Sequence, residues 1–164
     1  MDRNDCCGNF RNIIGDSMIR LAQAEDMEMV FRWRNSPEVM EQSTGQRQVT
    51  REEHIRFFHE TIVGETRLLW IINPNAGTVR VDRHGERATI SIYVLKEFQG
   101  QGKGTTSLIS ACRNAFAHWD DVMELQANIR EDNLRSIATF SAVGFQRVHE
   151  MGQPDHVLMV KHRE

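Results

Sequence analysis

The residues best placed to do chemistry lie in Gln99-Gly100-Gln101-Gly102-Lys103-Gly104-Thr105, where three glycines fall within five positions. Ahead of them Ile90, Ile92 and Val94 alternate with Ser91 and Tyr93, the pattern of a buried strand. Behind them Leu108, Ile109, Cys112, Ala115, Phe116 and Trp119 recur at the spacing of one helix face. A strand that runs through a glycine-rich turn into a helix start points free backbone N–H groups, and the positive end of the helix dipole, at one place. An anion belongs there, most simply a phosphate. Two familiar phosphate loops fit poorly. A P-loop needs Ser or Thr after its Gly-Lys pair, and Gly104 follows Lys103; the dinucleotide fingerprint needs glycine where Thr105 stands.

The spacing that does fit is Gln99, two residues, Gly102, one residue, Gly104. A second segment follows in order: Asn128-Ile129-Arg130-Glu131-Asp132-Asn133-Leu134-Arg135-Ser136, then Phe140 and Val143-Gly144-Phe145. Together they resemble the GNAT superfamily of acetyl-coenzyme A-dependent N-acetyltransferases, over nearly everything from residue 18 onward. The resemblance implies an α/β (α+β) single domain, with a mixed, mostly antiparallel sheet flanked by about four helices and splayed between its fourth and fifth strands. It implies acetyl-coenzyme A as co-substrate, with Gln99, Gly100, Gln101, Gly102, Lys103, Gly104 and Thr105 around the pyrophosphate. The backbone of Val94 and Leu95 would then pair with the pantetheine arm and polarise the thioester carbonyl, a backbone donor aimed at developing negative charge. Asn128, Asn133 and Ser136 are the expected further contacts, with Asp132 left as the helix cap. For Lys103, the backbone N–H would serve the cradle while the ammonium is solvated.

The acid and base are less legible. Aminolysis needs an amine stripped of its proton and a proton for the departing thiolate. Where many members of the family carry a glutamate, this chain has Thr89. Where many carry a tyrosine before the closing Gly-Phe pair, it has Phe140 or Ser141. The candidates that remain are Tyr93, the only tyrosine, together with Ser91 and His54. Tyr93 reads equally as a packed aromatic. Non-catalytic binding of an acyl-coenzyme A is the reading from another class that these departures keep open.

Trp33-Arg34-Asn35-Ser36-Pro37-Glu38 resembles two GNAT branches. One acetylates nucleotide-linked amino sugars, as in pseudaminic-acid synthesis; the other acetylates protein N-termini, including those of ribosomal proteins. Glu52-Glu53-His54 with Phe57-Phe58, and the run from Ala127 to Ile137, look closer to the amino-sugar branch. For a UDP-amino sugar, Arg34, Arg47 or Arg51 would meet phosphate and Trp33 would stack on a base or sugar face, with Glu53 nearby. The plainer alternative has Trp33 packed under the sheet, Arg34 capping its helix C-terminus and Glu53 closing a capping box with Thr50. A protein N-terminus or a polyamine is the alternative acceptor.

These residues require a set of elements to hold them. The pattern predicts a strand over 18–22, a helix over 25–34 stopped by Ser36-Pro37, and a polar segment over 39–49. A second helix begins at the Thr50 capping box with Ile55, Phe58 and Ile62 on one side. Strands over 68–72, 78–81 and 88–95 follow, the last two as a hairpin. The helix after the glycine loop reaches about His118. A strand over 122–129, a helix over 133–143 closed by Gly144, and two strands over 145–151 and 156–161 complete the chain.

A chain of 164 residues suits one domain, here 18–164 behind a loose leader over 1–17. A net charge of −3 makes no electrostatic case for nucleic acid. No apolar run is long enough to span a membrane and no signal peptide is visible. Cys6, Cys7 and Cys112 have neither zinc spacing nor an even count, which favours free thiols in a reducing cytoplasm, and the histidines show no metal-binding pairing. An exposed edge among the last two strands could pair two copies into a homodimer.

Overall fold

The computed structural model describes residues 18–43, 45–148 and 154–164. The leader expected over 1–17, with Cys6 and Cys7, lies outside the described residues, as does the Gly152-Gln153 part of the last turn. The strands are β1 (Ile19–Leu21), β2 (Arg67–Ile72), β3 (Gly77–His84), β4 (Arg87–Val94), β5 (Glu124–Arg130), β6 (Gln146–Val148) and β7 (His156–His162). The helices are α1 (Met27–Arg34), α2 (Pro37–Gln42), α3 (Arg51–Val63), α4 (Lys103–His118) and α5 (Leu134–Ala142).

The strands form one sheet in the order β1-β2-β3-β4-β5-β7-β6. Every pairing is antiparallel except β4 with β5. That parallel pairing covers only Arg87–Thr89 against Glu124–Gln126. Beyond Thr89 the two strands part, and the sheet is splayed between its fourth and fifth strands, as the sequence implied.

Leu68, Leu69, Trp70, Ile71 and Ile72 are all buried because β2 is covered on both faces. Leu68, Trp70 and Ile72 join the large core with Leu108, Ala111 and Ala115 of α4. Leu69 and Ile71 point the other way, to a smaller core with Val30 of α1 and Phe58 of α3. The arrangement is three layers, with the alternation of β2 dividing its residues between two cores.

The sequence reading is corrected at three places. Ser36-Pro37 ends α1 but also starts α2: the Ser36 hydroxyl accepts from the Val39 N–H at 3.4 Å, and Pro37 occupies the first helical position. The chain therefore has five α-helices among the described residues, in line with the expected about four. In α3 the capping box forms as expected, yet the buried side is His54, Phe58 and Thr61. Ile55 and Ile62 stay 45% and 44% exposed. Finally, Asn133 rather than Asp132 caps α5, its Oδ1 accepting from the Ser136 N–H at 3.2 Å. Asp132 is occupied instead by the Arg130 guanidinium.

The orientation of α3 can be checked by denaturant unfolding. Phe58→Ala should cost about 3–5 kcal/mol and Thr50→Ala about 1 kcal/mol, while Ile55→Ala should stay within about 0.5 kcal/mol. A large loss at Ile55 would mean that α3 is turned the way its apolar spacing suggests.

Candidate active site

The cofactor-type loop sits where β4 ends and α4 begins. Gly100 and Gly102 both have φ of +75°, and a Cβ added at either would meet nothing within 4 Å. Glycine is needed there for conformation, and the space above it is open to a ligand. Gly102 caps α4 without any side-chain hydrogen bond, so the first N–H groups of the helix face outward unclaimed by a cap. Gly104 is different: it lies inside α4, with Thr139 and Val94 at van der Waals distance from where its Cβ would be.

The side chains flanking the loop hold the end of β4 in place. The Gln99 amide donates to the Val94 carbonyl at 2.8 Å and accepts from the Arg135 guanidinium, tying the open strand end to α5. The Gln101 amide donates to the Glu97 carbonyl at 3.2 Å. The Lys103 ammonium is not simply solvated. It donates to the Asn73 carbonyl at 3.2 Å and lies over the Phe98 ring, leaving the Lys103 backbone N–H for the loop. Thr105 falls in the first turn of α4. Leu95 donates its N–H to the Ala76 carbonyl at 2.8 Å.

On the opposite face of the sheet a cavity of about 490 Å³ runs from beneath α1 and α3 to the splay. It is formed at the β4 side by Ser91 and Tyr93, and at the far side by Asn128, Asn133 and Ser136. The register explains the near wall: Thr78 lies opposite Tyr93 and Arg80 opposite Ser91, all on the face away from α4. Asn128 lies beyond the β4–β5 ladder, on the stretch of β5 paired only with β7, and its Oδ1 is buried with no hydrogen-bond partner among the described residues.

All three candidate acid/base residues line this cavity. Burial pushes the Tyr93 hydroxyl up to about 12, so at neutral pH it is a donor and not a base. It makes no hydrogen bond of full geometry, although the Thr78 side chain adjoins it. His54 is 4% exposed, and its ring is packed against Phe31, Phe57 and Phe58. Its Nε2 lies 2.8 Å from the Met27 carbonyl, a contact that places the proton on Nε2 and leaves a lone pair on Nδ1. Burial holds the His54 pKa below its usual value, which keeps the ring neutral. Ser91 is an exposed hydroxyl on the cavity wall.

Thr89 stands beside a carboxylate that the sequence did not advertise: Asp82 is its cross-strand partner. That carboxylate is taken by Arg67 and, at 2.7 Å, by Arg80, and it does not line the cavity. Phe140 is 2% exposed and packs edge-on against Phe145, as a core residue.

The expected acceptor-side residues divide. Arg34, Arg47 and Glu53 line the cavity. Arg47 and Glu53 form a two-pronged pair at 3.0 Å, and these bonds, followed by the Thr50 backbone N–H, lower the Glu53 carboxyl to about 2. Trp33 does not line the cavity. It stands edge-on to Tyr93 with ring centroids 6.5 Å apart and packs on the smaller core. Arg51 is turned away, paired with Glu28 and stacked over Phe31. Arg80, Arg130 and Arg135 were missed by sequence reading because each is an isolated arginine whose significance comes from its neighbour across the sheet or loop.

A sheet parted along two strands, with an uncapped helix start at one end and a cavity at the other, is the architecture of a site for two ligands. Residues 17–146 match the acetyltransferase (GNAT) domain family, and the chain belongs to that family. Among solved structures, a domain from Methanocaldococcus jannaschii is 24% identical, covering 89% of this chain and 97% of that one with a TM-score of 0.75. Spermidine N-acetyltransferase from Vibrio cholerae, in complex with coenzyme A and spermine, is 14% identical with coverage of 88% and 94% and a TM-score of 0.76. An aminoglycoside acetyltransferase in complex with coenzyme A is 21% identical, with coverage of 89% and 94% and a TM-score of 0.74. No curated protein sequence matches the chain. No described helix is long and apolar enough to cross a membrane. Cys112 is a buried free thiol raised to about 12 by burial, within the large core and away from the acceptor cavity.

The Glu53 carboxyl supplies a test by pH. Its folded pKa is lower than the usual 4.5, so its contribution to stability is present above that pH and is lost as pH falls toward about 2. Urea unfolding of the wild type should therefore weaken more steeply across this range than that of Glu53→Gln. Parallel curves would mean that the Arg47–Glu53 pair does not persist in solution.

Proposed function

We propose that the protein transfers the acetyl group of acetyl-coenzyme A directly to a primary amine of a small acceptor, a nucleotide-activated amino sugar, in the cytoplasm. The observation that carries the reading is that the acceptor cavity opens onto the unpaired edges of β4 and β5. One ligand in the splay and another in the cavity would meet there, which is the positioning a two-substrate transfer needs. The cavity is also within the size range of small-molecule sites, roughly 300–1,000 Å³.

The residues fit coenzyme A on two counts. Gly100 and Gly102 leave open the space that a Cβ would fill, beside the uncapped start of α4. Asn128 presents a buried acceptor oxygen in the splay. The loop from Gln99 to Thr105 would hold the pyrophosphate, with Val94 and Leu95 alongside the pantetheine arm and Asn128, Asn133 and Ser136 opposite. Acetyl-coenzyme A supplies the acetyl group in activated form, as a thioester.

The chain's own part is to present a neutral amine and to manage its proton. Arginines along the cavity disfavour an ammonium ion, so the acceptor amine loses its proton more readily there than in water. His54, neutral and with a free Nδ1 lone pair, is the group able to accept that proton, directly or through a water held by Ser91. Tyr93, protonated throughout the physiological range, is the donor available to the departing group. Among the described residues no cavity serine is hydrogen-bonded to His54 and no thiol lines the cavity, which favours direct attack.

The aminoglycoside and spermidine enzymes among the structural neighbours give the alternative acceptor class, a polycationic amine. The arginine-lined cavity favours the amino-sugar nucleotide over that class.

The test is thiol release from acetyl-coenzyme A with a UDP-4-amino sugar, an aminoglycoside, spermidine and a peptide with N-terminal Ala or Ser. Turnover with the UDP-amino sugar, abolished in Gly102→Glu, is the expected result. Tight cofactor binding with no turnover on any amine would favour an acyl-coenzyme A sensor. Absence of cofactor binding would overturn the reading altogether.

A further inference from the structure

The cavity contains a half-buried cation that the described residues leave unpaired. Arg34, in the last turn of α1, lines the cavity, and its Nη1 is buried without a hydrogen-bond partner among the described residues. The other cavity arginines are provided for. Arg47 is held by Glu53, and Arg130 by Asp132 and by the Glu41 carbonyl at 2.9 Å; Arg80 forms an ion pair with Asp82 at 2.7 Å, although its Nε makes no hydrogen bond of full geometry.

Arg34 has no duty in capping its own helix. The end of α1 is closed by other groups: Asn35 donates its N–H to the Phe31 carbonyl at 3.2 Å, and the Ser36 hydroxyl and N–H donate to the Trp33 carbonyl at 2.8 and 3.1 Å. No salt bridge joins Arg34 to a carboxylate among the described residues. Burial, then Arg80 and Arg47, lower its pKa against a smaller opposing effect of Tyr93, so an unpaired guanidinium is disfavoured at this position. The Tyr93 hydroxyl, another buried donor without a full hydrogen bond, faces the same cavity. A guanidinium nitrogen buried without a partner in a cavity wall is matched best by an anionic acceptor.

We propose that Arg34 anchors an anionic group carried by the acceptor molecule itself, a phosphate or a carboxylate, and so selects acidic amines over polycationic ones. This rests on the acetyl-transfer reading for the identity of the amine but not for the anion site. A guanidinium paired with an oxyanion makes a strong, directional contact, and it would fix the distance from the anion to the reacting amine. The same cation repels spermidine-like acceptors.

Two experiments test this. In the first, KM is measured for paired acceptors: a UDP-amino sugar against its free amino sugar, and an amino acid against its amide, with spermidine as the polycation. The phosphate pair and the carboxylate pair distinguish the two sources of anion. Arg34→Gln should raise KM for the preferred anionic acceptor about 10- to 100-fold, leave the KM for acetyl-coenzyme A and for the neutral counterpart unchanged, and Arg34→Lys should recover part of the loss. An equal rise for charged and neutral acceptors, or spermidine as the best wild-type substrate, would overturn the proposal.

The second experiment is independent of turnover. Protein saturated with coenzyme A, whose phosphate loop is then filled, is titrated calorimetrically with inorganic pyrophosphate and with malonate. Binding of one of them that weakens at least about tenfold in Arg34→Gln supports the anion site. No binding, or equal binding by the variant, overturns it. Arg34-dependent binding in a protein that acetylates no amine would leave the anion site standing and remove the transferase reading instead.

Discussion

The structure depends on the brevity of one strand pairing. β4 and β5 share a ladder only from Arg87 to Thr89, after which β5 stays bound along its whole length to β7 on the other side. Parting a sheet at its middle exposes backbone groups that a closed sheet would satisfy, and unsatisfied buried backbone is costly. The chain offsets part of that cost with side chains. Gln99 covers the Val94 carbonyl, Arg135 holds Gln99, and Arg130 spans from β5 to the Glu41 carbonyl at the end of α2. The rest of the gap is left open, and the position of both the loop and the cavity follows from it.

The cavity side is governed by charge. Arginines gather on one face of β3 and at the end of α1 because the register puts Arg80 beside Ser91 and α1 ends above Tyr93. Pairing with Asp82 and Glu53 makes two of them tolerable and also consumes the carboxylates that could have acted as bases. What remains is a positively biased cavity with a neutral histidine at its wall. In the proposed transfer, such a site would replace a carboxylate base with an environment in which an ammonium ion is disfavoured from the start.

Much of this was legible in the residues. The alternation of Ile90 to Val94, the glycines after it and the helical spacing from Leu108 announced the strand, turn and helix, since each signal is local and physically redundant. The Thr50 capping box was equally plain. The misreadings arose where local chemistry allowed two outcomes. Ser36-Pro37 serves as well to begin a helix as to end one. Asp132 and Asn133 are both competent caps, and the choice fell to Asn133 because Arg130 claims Asp132. In α3, Ile55 and Ile62 looked like the core face, but the side that meets the sheet is the one carrying His54 and Phe58, whose rings fill the space beside Leu69 and Ile71.

The sequence by itself determined the domain class, the glycine loop between strand and helix and the family, because these rest on patterns within short stretches of chain. The tertiary structure alone decided which arginines meet in one cavity, which carboxylates neutralise them and which one is left unpaired. Those outcomes depend on strand register and on contacts between residues as far apart as Glu41 and Arg130. A charge acquires its meaning from what lies within hydrogen-bonding distance of it, and that distance is set only when the chain has folded.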